Sequence, residues 1–544
     1  MKETFPHTAF SGKVPQILGA LLLLAIGIKW SIGLPQHMDI LFGDEAEYMR
    51  NGLDLFHIIR NDWGPAYNIW YKFLSFFFSD TIQLYYANYI MGGIAVAVLL
   101  FLALASMRIH YLTAFYLSFC FFVSSLNINS WPRISHFVLI LVLSCILFIS
   151  KLRSNAKKGI TFSILLYISS YARPDLFIAF LIVLSVSLFF MFQEREKLKQ
   201  FLPYLLLLIA AVLFFQIIFG FPSPTYKGGL NRLYSAFCQH YTMNYKYRTG
   251  VHFDAVTEWI EFCKDKFPDC TTIADVLRKH PDEFATNLFF NIKHYLLLLL
   301  TTILSFIFPT GIFTGRKALL IAAALLLSVI GIISLHKEKR NHFIHLLNEH
   351  KLLLFFLFVF GLPSIGMSTI IFPRPHYLLL HSLILVFILA MMLQSIFHGM
   401  RIKYWQSGGI GLLLLLLSPR SSAYSYMQFG KDMDNLCEQK LIRYLESKKE
   451  EQYVVFTNYL NITYILPENY SEFSTEFELK NGMAFSSVLE KKHINIILVS
   501  SNILENPILK ADSTWNDLIA HPEKYSFRTV KYSDICESYL LIKE

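Results

Sequence analysis

Long apolar runs recur along most of this chain and restrict its fold more than any other feature. A helix that crosses the hydrocarbon core of a bilayer needs about 20 consecutive, mostly apolar residues. Composition agrees: 54% of the 544 residues are hydrophobic and 16% are charged, whereas about a quarter of a soluble globular chain is charged. The runs lie at about 14–34, 82–106, 109–127, 134–150, 159–172, 175–193, 201–220, 294–313, 317–335, 352–372, 376–396 and 408–418.

These runs predict an all-α polytopic membrane protein with about 11–13 transmembrane helices. Several runs are short for a perpendicular crossing, which tilted, broken or paired helices would explain. The predicted membrane module covers residues 1–418, with a first outer loop at 35–81 and a large outer loop at 221–293. Membrane lipids are expected partners. The net charge of +9 does not indicate nucleic acid, because the basic residues cluster in short loops, as the positive-inside rule requires.

The tail at 419–544 has a different character, because charged residues return and the apolar runs shrink to strand length. Strands are predicted at 453–457, 494–500 and 538–544, and helices at 434–449 and 513–525. Alternating strands and helices predict a small soluble α/β domain.

The basic stretches at 151–158 and 193–200 predict which loops are cytoplasmic. Counting crossings from them places the loop 35–81, the turn 171–175 and the loop 221–293 on the outer face. In the large loop, Thr272 and Asp275 fit a helix capping box, and one or two amphipathic helices at the membrane surface are predicted.

The count after residue 294 has two solutions. If the runs 294–313 and 317–335 both cross, the basic stretch 336–351 lies outside, and the turn 372–377 and the tail lie inside. If one of the two runs is re-entrant or interfacial, the basic stretch is cytoplasmic, and the turn and the tail join the outer face. We prefer the second solution, with about 11 crossings, because it obeys the positive-inside rule; a missed crossing would give about 13.

The segment Leu41–Asp80 places many charged residues between the first two apolar runs. Charges so close to a bilayer are costly unless they serve a water-filled site. Asp44 is the first candidate for a general base, with Glu45 beside it. The pair is also a candidate ligand set for a divalent cation, Mg²⁺ or Mn²⁺, which prefers oxygen ligands. The alternative is a solvated loop that only carries charge.

Aromatic residues follow the acidic pair. Trp63 and Tyr67 offer flat surfaces for a sugar ring or a lipid chain. Lys72, His136 and Asp175 are further substrate-binding candidates. The alternative for the aromatic residues is an interfacial belt.

Two proline-containing turns carry arginine. The first is Arg173-Pro174-Asp175, and the second, at 372–377, holds Arg374, His376 and Tyr377. Arginine matches the geometry of phosphate oxygens, so both turns are candidate phosphate sites. The alternatives are a structural Arg173–Asp175 pair and a snorkelling Arg374. Lys227, His240, Arg248 and His252 in the large loop are candidates without an assigned role.

The seven cysteines show no C-x-x-C spacing. Cys263 with Cys270, or Cys437 with Cys536, would form disulfides in an oxidising compartment. The chain also lacks a Walker loop, a G-x-S-x-G elbow and an H-E-x-x-H motif, which argues against an ATP-driven pump, a serine hydrolase and a zinc protease.

With these motifs, the chain resembles the GT-C superfamily of membrane glycosyltransferases, in particular the protein O-mannosyltransferase and lipid A aminoarabinose transferase type. The resemblance covers about residues 14–400. It rests on GDEAEY (43–48), WGPAYNIWYKF (63–73), ARPD (172–175) and PRPHYLLL (373–380). The loop 127–133 departs from the family, because it lacks the acidic residue that many relatives carry; only Asn129 or His136 stands where that residue would be.

The resemblance implies transfer of a sugar from a polyprenyl-phosphate-linked donor, with inversion, to a glycolipid, polysaccharide or protein acceptor. It implies that Asp44 is the base, that Glu45 assists or helps to hold a metal, and that Arg374, with Arg173, neutralises the leaving phosphate. The expected location is a bacterial inner (plasma) membrane, with the active site facing outward. The alternative is a non-enzymatic lipid or glycolipid transporter or flippase; a membrane acyltransferase would need a histidine and an acidic residue deep in the helical core.

Overall fold

The computed structural model describes residues 13–41, 43–57, 64–129, 133–194, 198–222, 232–251, 259–313, 315–399, 404–421, 435–448, 452–457, 462, 465–466, 470–473 and 483–544. The chain divides into two compact units. The bundle unit comprises Met1–Trp30, Ile59–Tyr67 and Tyr89–Pro419, and the tail unit comprises Ser31–Ile58, Asn68–Asn88 and Arg420–Glu544. Most of the first outer loop therefore groups with the C-terminal tail.

Helices dominate the chain before the tail. They are α1 (Lys13–Ser31), α2 (Asp44–Leu53), α3 (Pro65–Ser75), α4 (Thr81–Ser106), α5 (Tyr111–Phe122), α6 (Ser125–Asn129), α7 (Ile134–Ile149), α8 (Asn155–Ser170), α9 (Leu176–Gln193), α10 (Leu198–Phe219), α11 (Arg232–Thr249), α12 (Trp259–Lys266), α13 (Ile273–Lys279), α14 (Pro281–Ile307), α15 (Arg316–Leu335), α16 (Lys337–Glu349), α17 (Lys351–Ile370), α18 (Pro375–Ile396) and α19 (Tyr404–Leu417).

In the described ranges, eight helices are long and apolar enough to cross a membrane: α1, α4, α9, α10, α14, α15, α17 and α18. Shorter apolar helices include α5, α7 and α19. The prediction of a helical chain with many membrane-length apolar helices is therefore confirmed.

Two predicted helix boundaries were wrong. The run at 109–127 is interrupted after α5, where Ser124 Oγ donates to the Phe121 carbonyl at 2.7 Å and accepts from Asn127 N at 3.4 Å. Such local side-chain bonds compete with a continuous helix. Helix α14 begins at Pro281, well before the predicted residue 294, because its first turns are polar and an apolar window misses them. The predicted capping box is present at the start of α13, between Thr272 and Asp275.

Contacts within the bundle unit group its turns at two ends. At one end, which we call the Arg374 end, the Arg133 guanidinium lies 3.5 Å from the centre of the Tyr89 ring. Ser135 Oγ donates to the His376 carbonyl at 2.8 Å, and Tyr171 Oη donates to the Gly220 carbonyl at 2.8 Å.

The other end of the bundle unit, which we call the basic end, gathers the turns between α4 and α5, α7 and α8, and α16 and α17. His110 N donates to Gln394 Oε1 at 2.8 Å, Arg108 lies 4.0 Å from Glu349, and Lys339 Nζ donates to the His398 carbonyl at 2.7 Å. Lys158, in the basic stretch 151–158, lies close enough to His350, in the basic stretch 336–351, for its charge to act on that ring.

Helix α14 ends midway along α5, where Tyr116 Oη donates to the Ile307 carbonyl at 2.6 Å. It begins at the Arg374 end, where Asn291 Nδ2 donates to the Ile371 carbonyl at 3.0 Å. After α14, Gly311 packs against Val123, so closely that a Cβ atom on Gly311 would lie 1.7 Å from the Val123 carbonyl oxygen. Val123 follows the end of α5, about 18 Å along that helix from the basic end. The chain therefore returns toward the Arg374 end before α15 begins.

The tail unit contains a five-stranded mixed sheet in the order β2-β1-β3-β5-β4. Its strands are β1 (Tyr453–Phe456), β2 (Tyr470–Phe473), β3 (Ile496–Val499), β4 (Phe527–Val530) and β5 (Tyr539–Lys543). Strand β1 pairs in parallel with β2 and β3, and β5 pairs antiparallel with β3 and β4.

The helices of the tail are α20 (Cys437–Glu446), α21 (Phe485–Lys491), α22 (Ser501–Leu504), α23 (Pro507–Ala511) and α24 (Ser513–Ala520). Of these, α20 and α24 correspond to the two predicted tail helices. Trp515 on α24 is buried against Phe456 and Phe485. The predicted strands correspond to β1, β3 and β5. The sequence did not reveal β2 and β4, because they are edge strands of four residues without an apolar run.

Asp39 of the first loop anchors α20 within the tail unit. It is fully buried, and its carboxylate accepts from the backbone N–H groups of Glu438 at 2.9 Å and Gln439 at 3.0 Å. A carboxylate at a helix N-terminus satisfies otherwise unpaired donors and interacts favourably with the helix dipole. Cys437 is disulfide-bonded to Cys536, which confirms one of the two predicted pairs; Cys263 and Cys270 are free thiols.

The Asp39–Glu438 contact predicts a pH-dependent stability. Burial, and then the hydrogen bond and charge of Asp39, raise the pKa of Glu438 from 4.5 to about 8. The folded state therefore holds a proton that the unfolded state releases above about pH 5. The free energy of unfolding should fall by up to about 1.4 kcal/mol per pH unit between pH 5 and 8. Thermal unfolding from pH 5 to 9 should show this loss, and Glu438→Gln should flatten it. An equally steep profile in Glu438→Gln would contradict the assignment.

Candidate functional site

Asp44 occupies the first position of α2, directly after Gly43. Gly43 has φ of 98°, a backbone conformation that favours glycine. Asp44 is half-buried, and within the described ranges no hydrogen bond or ion pair reaches its side chain. A carboxylate at a helix N-terminus is stabilised in its charged form by the helix dipole. Asp44 is thus a carboxylate with oxygens available to a ligand.

Glu45 has a different environment from its neighbour. It is buried, and its Oε1 atom accepts from Tyr71 Oη and from Asn88 Nδ2, the latter at 2.9 Å. Trp70 Nε1 in turn donates to Asn88 Oδ1 at 2.8 Å. Glu45 therefore joins α2 to α3 and α4 within the tail unit. This packing favours a structural role for Glu45 over the predicted role of an accessible carboxylate that assists Asp44.

No further metal ligands accompany the predicted pair Asp44 and Glu45 among the described residues. Within the described residues, no group of three or more His, Cys, Asp or Glu side chains could hold a metal ion. Because Mg²⁺ and Mn²⁺ need several oxygen ligands, one available carboxylate beside a hydrogen-bonded one does not form such a site. A divalent cofactor stays a prediction from the resemblance, and we route no chemical step through it.

The other first-loop candidates are used in packing. Lys72 Nζ donates to the Leu53 carbonyl at 2.9 Å, and so caps the end of α2. Tyr67 is fully buried, with its ring centre 5.6 Å from that of Phe137. Tyr67 therefore has no accessible surface for a sugar ring, whereas Lys72 is half-buried and uses its ammonium group in the contact with Leu53. Trp63 lies outside the described residues.

Arg173 forms the structural pair that the sequence left open. Its Nη2 and Nε atoms lie 2.9 Å and 3.1 Å from the two carboxylate oxygens of Asp175. Its Nη1 atom donates to Ser135 Oγ at 3.1 Å, and its guanidinium lies 4.9 Å from the centre of the Tyr377 ring. Because Asp175 neutralises it, Arg173 is suited to holding the Arg374 end together and less suited to binding a free phosphate.

Arg374 differs from Arg173 in that its side chain has no anionic partner among the described residues. It lies between Pro373 and Pro375 in extended conformation and is the N-cap residue of α18. It is half-buried, and no hydrogen bond or ion pair of its side chain is found in the part of the chain that the structure describes. A cation at the start of a helix, where the dipole is positive, is unfavourable without a counter-ion. This combination favours an anion that the described residues do not supply.

His240 reaches the same turn from the large loop. Its ring stacks on Phe372 with centres 5.1 Å apart and planes 5° apart, and it is only 4% exposed. Burial, and then the charge of Arg374, lower the pKa of His240 to about 3. His240 is therefore neutral at physiological pH, and its Nδ1 atom has no hydrogen-bond partner among the described residues. It can still donate or accept one hydrogen bond.

An asparagine ladder fixes α11, which carries His240. Asn244 Nδ2 donates to Asn291 Oδ1 at 2.8 Å, and Asn291 in turn bonds to the end of α17. No role could be assigned to His240 from the sequence, because only the spacing of His240 and Asn244, one helical turn apart, marks this face. Arg248 lies elsewhere, 3.7 Å from Glu283, and Lys227 and His252 lie outside the described residues.

The remaining histidine candidates are both buried. The His376 ring contacts Tyr377 with centres 4.3 Å apart, at the same turn as Arg374. His136 is fully buried, 2.6 Å from Arg133 and 3.1 Å from the Asn127 carbonyl. His136 is thus part of an internal hydrogen-bond network, and this position does not favour the predicted contact with substrate. The side chain of Asn129 lies outside the described residues.

Comparison with known proteins identifies no relative: no family model matches the chain, and no curated protein matches it.

The contrast between the two acidic neighbours gives a stability test. Glu45→Ala leaves the buried Tyr71 and Asn88 donors without their acceptor, which should destabilise the fold by about 1–3 kcal/mol or more. Asp44→Ala removes a half-exposed carboxylate without a protein partner and should cost less than about 1 kcal/mol. Thermal unfolding in detergent measures both, and equal losses would contradict the different environments assigned to them.

Proposed function

We propose that this protein is a membrane glycosyltransferase that moves a sugar from a polyprenyl-phosphate donor to an acceptor, with inversion at the anomeric carbon. The observation that carries the proposal is the half-buried Arg374, which has no anionic partner in the described chain. A cation of this kind, on a helix of membrane-spanning length, suits a phosphate carried on a lipid. The resemblance of the first-loop and arginine motifs to the GT-C superfamily supports the same reading.

Arg374 binds the donor phosphate in this proposal. Its guanidinium supplies charge-assisted hydrogen bonds, and the neutral His240 adds one donor. Tyr377 and His376 line the same turn. Arg173, neutralised by Asp175, positions Ser135 and Tyr377 and does not contact phosphate. A lipid phosphate is already a good leaving group, so positioning and charge neutralisation supply most of the rate enhancement.

Asp44 acts as the general base. The acceptor oxygen or nitrogen forms a bond to the anomeric carbon while the bond from that carbon to the phosphate oxygen breaks. The electron pair leaves with the polyprenyl phosphate, and the acceptor's proton passes to the Asp44 carboxylate. One displacement inverts the configuration, and no covalent sugar–enzyme intermediate is required.

The two ends of the bundle unit support an orientation. The basic end is cytoplasmic under the positive-inside rule, so the Arg374 end faces outward. The chain starts α14 at the Arg374 end and turns back toward that end after it, so α14 is not counted as a crossing. About 11 crossings remain. This solution also removes the conflict that the stretch 336–351 created.

The tail then lies on the outer face. Its Cys437–Cys536 disulfide suits an oxidising compartment. Arg443 of the tail also pairs with Asp80, which directly precedes α4 in the chain. The tail and the start of α4 therefore share one side of the membrane.

Asp44→Asn should reduce sugar transfer by at least about 100-fold, because a general base contributes about 10²- to 10⁴-fold. The assay measures polyprenyl phosphate released from a panel of polyprenyl-phosphate monosaccharides by protein in nanodiscs, with membrane extract as acceptor. Asp282→Asn, an exposed carboxylate in the first turn of α14, is the control and should keep full activity. Near-normal turnover by Asp44→Asn would overturn the base assignment. A transporter would release no polyprenyl phosphate in any variant.

Arg374→Ala should weaken binding of polyprenyl phosphate by about 10- to 100-fold, since hydrogen bonds to charged groups contribute about 1.5–3 kcal/mol. Affinity is measured with the protein in nanodiscs titrated with polyprenyl phosphate. Arg316→Ala removes an exposed arginine at the start of α15 and should leave the affinity unchanged. Equal affinities for all three proteins would count against a phosphate role for Arg374.

Tags at the two ends of the chain test the topology. An odd number of crossings places a C-terminal tag outside and an N-terminal tag inside. An antibody should therefore label the C-terminal tag on intact spheroplasts, and the N-terminal tag only after permeabilisation. Labelling of both tags from the same side would show an even number of crossings and would overturn the assignment of α14.

A further inference from the structure

The large loop brings three free thiols into one small core. Cys238 on α11, Cys263 on α12 and Cys270 after it are all buried. They pack with Phe237, Tyr241, Phe267 and Val276 in a cluster separate from the rest of the bundle core. None of the three takes part in the proposed sugar transfer.

Cys238 and Cys263 are in direct contact. Cys263 Sγ donates to the Cys238 carbonyl at 3.4 Å, and Thr242 Oγ1 lies 3.6 Å from the same sulfur. The two thiols also interact with each other, which lowers the pKa of Cys238 and raises the pKa of Cys263. The thiol with the lowered pKa is the better source of thiolate, the form that attacks a disulfide.

The large loop faces an oxidising compartment under the proposed orientation. The large loop belongs to the Arg374 end, since α11 stacks His240 on Phe372 and bonds to α14. Under the proposed orientation this end faces the compartment in which the tail forms its own disulfide. Adjacent thiols on a protein that folds in an oxidising compartment are normally oxidised.

We propose that Cys238 and Cys263 form a second disulfide in the mature protein, and that Cys270 stays a free thiol. The Cys238 thiolate attacks a disulfide of a thiol–disulfide oxidoreductase, and the resulting mixed disulfide is displaced by Cys263. A new sulfur–sulfur bond forms in this protein, and the oxidoreductase leaves as a dithiol that holds both electrons and both protons. The proposal rests on the outward orientation given above and not on the transfer reaction itself.

This disulfide would fix α11 to α12 two residues before His240. Because the His240 ring lies on the turn that carries Arg374, the bond would restrain the large loop at the candidate phosphate site. The bond would add a covalent link to the noncovalent contacts of this loop, which include the small apolar core, the asparagine ladder and the ion pairs of Glu283.

Peptide mapping tests the proposal on the full-length protein. Thiols are blocked with N-ethylmaleimide under denaturing conditions before purification, and the protein is digested with trypsin without reduction. The three cysteines then fall on separate peptides, 233–246, 249–264 and 267–278. We expect 233–246 linked to 249–264, and 267–278 carrying one maleimide. The Cys437–Cys536 linkage is the internal control for oxidation, and Cys120 and Cys145 are the controls for complete blocking.

Each other outcome overturns the proposal. Maleimide on both Cys238 and Cys263, with Cys437 and Cys536 linked, shows that the pair stays reduced on the oxidising side. A linkage that includes Cys270 shows a wrong pairing. Maleimide on Cys437 and Cys536 as well shows that the protein does not fold in an oxidising compartment, which overturns the premise of the proposal. This result is independent of whether the protein transfers sugar.

Two variants separate the pairing from chance exchange during handling. Cys270→Ser should keep the linked pair unchanged. Cys263→Ser should leave Cys238 fully blocked by maleimide, and a link between Cys238 and Cys270 in wild-type protein but not in Cys270→Ser would reassign the bond. Sugar transfer is measured in parallel, so that loss of the disulfide and loss of activity are scored independently.

Discussion

Polar groups inside an apolar helical bundle must find partners within the protein, and this constraint governs most of the structure. An unpaired charge in hydrocarbon costs several kcal/mol, whereas a paired one is tolerated. Arg133 meets the constraint through backbone carbonyls and the Tyr89 ring, and Arg173 meets it through Asp175. Arg374 is the arginine whose partner the described chain does not provide. That exception, and not the number of charges, directs attention to the turn at 372–377.

The same constraint gives two neighbouring acids different roles. Residues next to each other on a helix point about 100° apart, so Glu45 enters the packing of the tail unit while Asp44 stays half-buried at the helix start. Glu45 contributes to the position of α2, and through it to the position of Asp44. A loss of activity in a Glu45 variant would therefore report on the scaffold before it reported on chemistry.

The sequence predicted the features that depend on local composition. Apolar length located most of the long helices, apolar runs of strand length located β1, β3 and β5, and the Thr272–Asp275 spacing located the start of α13. It could not decide features that depend on distant residues. The partners of Glu45 are 26 and 43 residues away, so nothing near Glu45 shows that it is buried. Two cysteine pairs were open from the sequence, and only the fold of the tail unit shows that Cys437 and Cys536 are bonded. His240 could not be assigned to the site from the sequence, because its place there depends on contacts with the turn that holds Phe372 and Arg374.

The path of α14 has a consequence for how the chain is made. Insertion machinery sorts segments largely by hydrophobicity, and α14 is long and apolar enough to cross a membrane, although its mean hydropathy is the lowest of the eight described helices of that kind. In the proposed topology α14 does not cross, and it is held by elements synthesised earlier and later, through the Tyr116 bond to the Ile307 carbonyl and the Asn291 bond to the end of α17. On that proposal the arrangement of this region is complete only after α17 has been synthesised, so substitutions at these contacts should affect assembly.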